Sequence, residues 1–166
     1  MISLAIDFDV EARAIDAIVK VECSGSGFEN NGDLKIQFEP HEFKKRTGFV
    51  IANGVEGQRK EWDAYFEAKK LNWNEALNST SWGMGQIMGY NHLAAGYASV
   101  ADMINDFKTS EYAQVKAMLT FIKNKKLITA IKNKRWNVFA RIYNGPLYVK
   151  FKYDTRIESA YINSKL

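Results

Sequence analysis

Apolar side chains recur three and four positions apart along most of this chain, and no other feature restricts its possible folds as strongly. The clearest case is the run Trp136, Phe139, Ala140 and Tyr143, which gives a helix one apolar face. Gly145 and Pro146 follow, and we predict that they end this helix. The same spacing predicts helices over residues 10–22, 58–71, 73–79, 99–107, 110–124, 127–134 and 154–164.

The segment 24–57 breaks this pattern. It holds six of the 11 glycines, and Leu34, Ile36 and Phe38 alternate with polar residues. Alternation of this kind predicts loops with one or two short strands. We therefore predict an α+β fold, mostly helical, with a small β element near residues 33–39. Asp9 is a candidate N-cap for the helix that follows it.

Composition excludes several classes of protein. With 46% apolar and 25% charged residues in 166, the chain is expected to form one packed domain, 1–166, rather than a disordered segment. Mean hydropathy is −0.32, and no apolar run is long enough for a membrane span. The single Cys23 excludes an internal disulfide, and two histidines do not suggest a metal site. We expect neither metal nor cofactor, and the N-terminus shows no secretory signal.

Charge is distributed unevenly. Residues 1–107 carry 10 Lys and Arg against 16 Asp and Glu, a net charge of −6. Residues 108–166 carry 13 against 3, a net charge of +10. This basic C-terminal third predicts an anionic partner such as a nucleic acid, a membrane surface or a wall polymer, although a basic face without a partner would have the same composition.

Glu22 is the residue whose position is most suggestive of chemistry. It continues the apolar stripe of Ile15, Ile18 and Val19, and it lies at the C-terminal end of its predicted helix. Burial and the negative end of the helix dipole both disfavour the carboxylate, so its pKa is expected to be raised. A carboxyl that stays protonated near neutral pH can act as a general acid, whereas a glutamate at the edge of the stripe would simply reach solvent.

Two further segments carry candidate site residues. In residues 81–89, glycines alternate with large apolar residues, and Gln86 adds an amide that can bind sugar hydroxyl or acetamido groups. A tightly packed helix crossing would also explain these glycines. Tyr143 and Asn144 end the last strongly apolar helix, where Asn144 could instead be a simple C-cap.

Taken in order, these segments resemble the catalytic core of the goose-type lysozyme and lytic transglycosylase superfamily, and more closely the N-acetylmuramidase family of phage endolysins. The resemblance extends over about residues 10–163. The motifs that carry it are the helix ending at Glu22, SGSGF at 24–28, IQFEPHEF at 36–43, SWGMGQIMG at 81–89, GYASV at 96–100 and ARIYNGP at 140–146.

The resemblance implies a lysozyme-like fold and cleavage of the β-1,4 bond between N-acetylmuramic acid and N-acetylglucosamine in peptidoglycan. It implies Glu22 as the catalytic acid. The residues that it places along the cleft are Ser81, Gly85, Gln86, Tyr143 and Asn144. Many members also have a separate wall-binding domain, which we do not find in this sequence.

A second catalytic carboxylate is less well defined. Cys23 replaces the usual Ser after the catalytic Glu, and Asn31 stands where the family leads us to expect an acidic residue. Glu39, Asp33 and Glu29 are the nearby candidates for activating water. We prefer Glu39 because it follows a predicted strand, although it could equally be a structural carboxylate. A single-acid mechanism with participation of the substrate also stays open.

Three functions are compatible with these interpretations. The first is a hydrolytic muramidase, expected to be monomeric, to bind peptidoglycan rather than nucleic acid, and to meet anionic outer-membrane or wall polymers through its basic third. Without a secretory signal, a phage enzyme of this kind would stay in the host cytoplasm until the membrane is permeabilised. The second is a lytic transglycosylase that forms 1,6-anhydro products. The third is a non-enzymatic basic helical module that binds nucleic acid or membrane.

Overall fold

The computed structural model describes residues 1–22, 26–52 and 57–166. Cys23 and part of the SGSGF motif therefore lie outside the described residues. Within them, the elements in chain order are α1 (Ile2–Phe8), α2 (Ala12–Glu22), β1 (Ile36–Phe38), α3 (Pro40–Thr47), α4 (Gln58–Leu71), α5 (Trp73–Asn78), β2 (Thr80–Trp82), β3 (Ile87–Met88), α6 (Val100–Phe107), α7 (Glu111–Asn124), α8 (Ile128–Lys132), α9 (Trp136–Tyr143) and α10 (Tyr153–Ile162), with 3₁₀ turns at Gly89–Asn91 and Pro146–Tyr148.

These bounds confirm the predicted α+β class and place a strand inside the predicted β element. The start of the chain differs from expectation, because α1 occupies residues for which we predicted no element. Asp9 ends α1 in a left-handed conformation, with φ of 53°, and α2 begins at Ala12. The prediction of Asp9 as N-cap of the following helix was therefore wrong. Helix α3 has Pro40 at its start, where a missing N–H costs no hydrogen bond.

The core forms around the apolar faces of α2 and α7. Ile15 and Ile18 of α2 are completely buried, as are Met118 and Leu119 of α7. Burying an aliphatic side chain of this size contributes about 1.5–3 kcal/mol. Helix α10 packs along both α2 and α9. Through this packing, the C-terminal ends of α2 and α9 come together although they are far apart in sequence.

The three strands form an antiparallel sheet in the order β1-β2-β3. Ile36 lies opposite Trp82, and Gln37 lies opposite Ser81. Because alternate strand residues point to opposite sides, Ile36 and Trp82 face the core while Gln37 and Ser81 share the other face. We call this second side the polar face of the sheet.

The glycine-rich block at 81–89 is a β-hairpin and not a helix crossing. Its turn contains Gly83, with φ of 64°, and Gln86, with φ of 45°. After the hairpin, Gly89 lies directly against the backbone of α5, where an added Cβ would be 2.1 Å from Leu77 O. The glycines therefore serve a tight turn and a close backbone approach. No helix within the described residues is both long and apolar enough to cross a membrane.

Candidate active site

The carboxyl group of Glu22 lies at the C-terminal end of α2, beside the end of α9. Asn144 Nδ2 donates a hydrogen bond of 2.9 Å to Glu22 Oε2. Glu22 Oε1 is buried and has no hydrogen-bond partner among the described residues, and the same holds for Asn144 Oδ1. Two residues that were predicted separately from the sequence are therefore in direct contact, 122 positions apart in the chain.

The pKa of Glu22 is raised from 4.5 to about 7, chiefly because burial disfavours the carboxylate. The hydrogen bond from Asn144 and the positive charge of Arg156 act in the opposite direction and limit the rise. A carboxyl group with this pKa is partly protonated at neutral pH and can donate a proton. This agrees with the direction expected from the sequence, where burial and the helix terminus were the stated causes.

Arg156 is a neighbour of Glu22 that could not be recognised from the sequence. It lies on α10, and its Nη2 donates to the carbonyl oxygen of Val21 at 3.4 Å. Nothing in the local sequence marks Arg156, because it is one of several basic residues in the C-terminal third. The sequence indicates only that Arg156 lies on a predicted helix, and not which helix it packs against.

Tyr143 connects this pair to the glycine hairpin. Its hydroxyl donates to the carbonyl oxygen of Gly85 at 3.1 Å. Its ring stacks on Phe139 with centroids 5.1 Å apart, and it meets Phe121 edge to face at 5.9 Å. Since Tyr143 and Asn144 are consecutive, the end of α9 holds the hairpin with one residue and Glu22 with the next.

Ser81 and Gln86 form a hydrogen-bonded unit at the hairpin. Ser81 Oγ donates to Gln86 Oε1 at 2.9 Å, and Gln86 Nε2 donates to Gly83 O at 2.8 Å. Ser81 is only 5% exposed. Its hydroxyl therefore positions the Gln86 amide instead of facing solvent itself. Gln86 is half-buried at the turn.

Helix α7 supports both segments that flank the site, and this role was also missed from sequence. Gln114 is fully buried; its Oε1 accepts from Met84 N at 2.6 Å and its Nε2 donates to Phe107 O at 3.0 Å. Glu111 accepts from Ser26 Oγ at 2.8 Å and from Gly27 N at 3.1 Å. A buried Gln among apolar helix positions was the available signal, because such an amide needs partners.

Glu39 lies at the end of the polar face, at the N-cap of α3. Gln37 Nε2 donates to Glu39 Oε1 at 2.9 Å. The pKa of Glu39 is raised, first by burial and then by the negative charges of Glu61 and Glu42. Within the described residues, no hydrogen bond or ion pair joins Glu39 to Glu22. The two carboxyl groups thus belong to separate local networks.

The other acidic candidates lie elsewhere. Glu29 and Asp33 line a groove against α4, together with Trp62. Asp33 accepts a hydrogen bond from Asn31 Nδ2 at 2.7 Å, which closes the tight loop between them. Within the described part of the chain, no three His, Cys, Asp or Glu side chains are grouped so that they could hold a metal ion.

The arrangement can therefore deliver a proton from a buried carboxyl group. Asn144 holds one oxygen of the Glu22 carboxyl group, and Tyr143, the residue before it, holds the hairpin at Gly85 O. General acid catalysis needs a donor whose pKa lies near the working pH. Glu22 meets this requirement without any other ionised group in hydrogen-bond contact among the described residues.

The family model described as Muramidase, N-acetylmuramidase, matches residues 11–56 and 50–165 of the chain. Among solved structures, the crystal structure of the Burkholderia AP3 phage endolysin superimposes with a TM-score of 0.85 and 30% sequence identity. The match covers 96% of this chain and 66% of the endolysin, so the chain spans just under two thirds of that protein. No curated protein matches the chain.

Proposed function

This chain belongs to the N-acetylmuramidase family, and from this premise we propose that it is a peptidoglycan hydrolase of the endolysin type. Its substrate is the β-1,4 bond between N-acetylmuramic acid and N-acetylglucosamine. The observation that carries the proposal is the buried carboxyl of Glu22, with a pKa of about 7, in contact with Asn144. The 30% identity to a phage endolysin over nearly the whole chain supports it.

Glu22 acts as the general acid. Cleavage needs a proton on the leaving glycosidic oxygen while positive charge develops on the anomeric carbon. Since Asn144 Nδ2 donates to Glu22 Oε2, the proton resides on the other oxygen, Oε1, which has no acceptor among the described residues. This division of roles leaves the acidic hydrogen available to the substrate.

The remaining predicted site residues shape the place where the sugars bind. Tyr143 holds Gly85, and Ser81 holds Gln86, so both hairpin residues are fixed before the substrate arrives. Gln86 Nε2 has a second hydrogen in addition to the one that it donates to Gly83 O. We assign that hydrogen, and backbone groups of the hairpin, to the acetamido and hydroxyl oxygens of the glycan.

The step after protonation has two candidate routes. In the hydrolytic route Glu39 accepts a proton from water as the water attacks the anomeric carbon, and the product gains one water. In the second route the C6 hydroxyl of the muramic acid attacks the same carbon and gives its proton to the Glu22 carboxylate, which forms a 1,6-anhydro product and restores the acid.

We propose that the basic C-terminal third attracts the protein to anionic polymers of the cell envelope. Residues 108–166 carry a net charge of +10, so attraction to wall or outer-membrane anions should weaken as salt rises. We propose that the protein works as a monomer, without cofactor, and reaches the wall once the host membrane has been permeabilised.

The test compares digestion of purified peptidoglycan by the wild type, Glu22→Gln, Glu39→Gln and Glu158→Gln. Glu158 is an exposed carboxylate on α10 and serves as the matched control. We expect the Glu22→Gln protein to lose activity and the Glu158→Gln protein to keep it. Mass spectrometry of the products separates hydrolysis from anhydro formation, and loss of activity in Glu39→Gln selects the route through water.

Two outcomes would contradict the proposal. Equal digestion by wild type and Glu22→Gln would remove Glu22 from the mechanism. No digestion by the wild type, together with salt-sensitive binding to nucleic acid or anionic vesicles, would identify the chain as a basic binding module instead.

A further inference from the structure

An aromatic groove lies on the side of the sheet away from the polar face. It consists of two adjoining cavities of about 490 and 560 Å³, which share Asp33, Trp62 and Phe66 as lining residues. The second cavity also reaches Trp82, which points away from the polar face because its strand neighbour Ser81 points toward it. The groove is therefore separate from the site around Glu22.

Two aromatic rings line the shared part of the groove, and a third extends it. The rings of Trp62 and Phe66 are 5.5 Å apart and inclined by only 31°. Phe66 is 47% exposed, and Trp73, on the rim of the larger cavity, is 55% exposed. Exposed aromatic rings such as those of Phe66 and Trp73 present flat apolar area at low cost in conformational entropy.

The ring of Trp62 is packed against two further aromatic residues. Trp62 meets Tyr65 at 5.5 Å and Trp82 at 6.1 Å, both edge to face. Its indole Nε1 is buried and has no acceptor among the described residues.

The polar lining of the groove is rich in hydrogen-bonding groups and carries balanced charge. The lining has three acidic side chains and three basic ones, which are Glu29, Asp33 and Asp63, and Arg59, Lys69 and Lys108. The lining also has four amide side chains. Those of Gln58 and Asn31 are hydrogen-bonded to the Ile36 backbone and to Asp33, and those of Asn30 and Asn105 remain for a ligand. A polyanion such as a nucleic acid or an acidic lipid surface would meet as many carboxylates as cations here, so a neutral ligand suits this lining better.

We propose that this groove is a second saccharide-binding site, which holds the neutral N-acetylhexosamine backbone of a glycan strand away from the point of cleavage. Pyranose rings have flat apolar faces for Trp62, Phe66 and Trp73, and acetamido and hydroxyl groups for the amides around them. The identity of the polymer rests on the proposed function. Binding at a second site raises the effective concentration of the strand at the first, which retains the enzyme on an insoluble wall.

The test uses the Glu22→Gln protein, so that binding is measured without turnover. Its sedimentation with purified peptidoglycan is compared with that of the same protein carrying Phe66→Ala and Trp73→Ala. Tyr112→Ala is the matched control, because Tyr112 is also 47% exposed but lies on α7 outside the groove. Phe66→Tyr keeps an aromatic face and should keep binding. Thermal unfolding of each variant verifies that it is folded.

We expect the Phe66→Ala, Trp73→Ala protein to bind the wall about tenfold more weakly, and the Tyr112→Ala protein to bind unchanged. In nuclear magnetic resonance titrations with N-acetylglucosamine tetrasaccharide, we expect shifts at the indole Nε1–H of Trp73 and Trp62, with loss of the Trp62 response in the double variant. In an otherwise wild-type background, the double variant should retain its rate on short soluble fragments.

Unchanged wall binding by the folded double variant, with tetrasaccharide shifts confined to the Glu22 site, would overturn the proposal. Concentration-dependent self-association that the double variant abolishes, without any saccharide response, would overturn it too and assign the groove to a second copy of the chain. Full activity of Glu22→Gln would overturn the proposed acid. The double variant and Tyr112→Ala would then digest the wall from the same active background, so a difference in binding between them would still report on the groove.

Discussion

Replacing Glu22 with glutamine should remove a pH dependence of stability that the wild type carries. The Glu22 pKa is about 7 in the folded protein, against 4.5 for an unperturbed glutamate, which represents the unfolded chain. Between these values the native state holds a proton that the unfolded state has lost, so wild-type stability falls as pH rises through this interval. A pKa higher by about 2.5 corresponds to about 3 kcal/mol.

The assay is urea unfolding of both proteins at about pH 4 and about pH 9. We expect the stability of the wild type, relative to Glu22→Gln, to be about 3 kcal/mol lower at the higher pH. The introduced amide oxygen can still accept from Asn144, and any cost of burying the new NH₂ group is equal at both pH values, so it cancels in the comparison. The exposed Glu158→Gln variant should follow the wild type.

Parallel pH profiles for wild type and Glu22→Gln would refute the reasoning, because they would mean that burial does not favour the protonated form of Glu22. The reasoning would be refuted more directly if Glu22→Gln were less stable than the wild type by a larger amount at high pH than at low pH. Either result would also remove the physical basis for a general acid that keeps its proton near neutral pH.

Contacts around the site give three further predictions. Asn144→Ala removes a hydrogen bond that lowers the Glu22 pKa, so the fall in activity at high pH should move to higher pH in a kcat/KM profile; an unchanged profile would contradict this. Gln114→Ala leaves Met84 N–H and Phe107 C=O without their partner and should cost about 2–3 kcal/mol in urea unfolding. Gly89→Ala would press a Cβ against Leu77 O, so its Tm should fall by several degrees; an unchanged Tm would mean that α5 can retreat.

Much of the local structure could be predicted from the sequence because it depends on short-range spacing. The apolar run from Trp136 to Tyr143 predicted α9, and the alternation around Ile36 predicted β1. Where local signals were ambiguous, the prediction failed: α1 was missed, and the glycines of 81–89 could equally have belonged to a helix crossing. The hairpin pairs Ser81 with Met88 and Trp82 with Ile87, and β2 is held in the sheet by β1, a strand more than 40 residues earlier.

The sequence by itself determined the helical class of the protein and the unusual position of Glu22, an acidic side chain on an apolar stripe at a helix end. Only the tertiary structure decided which groups surround that carboxyl group. Asn144 and Arg156 reach Glu22 because α10 packs on both α2 and α9, and Gln114 reaches the hairpin turn through a hydrogen bond from Met84 N. Burial and hydrogen bonding act over a few ångströms in space, whereas sequence patterns report only on neighbours along the chain.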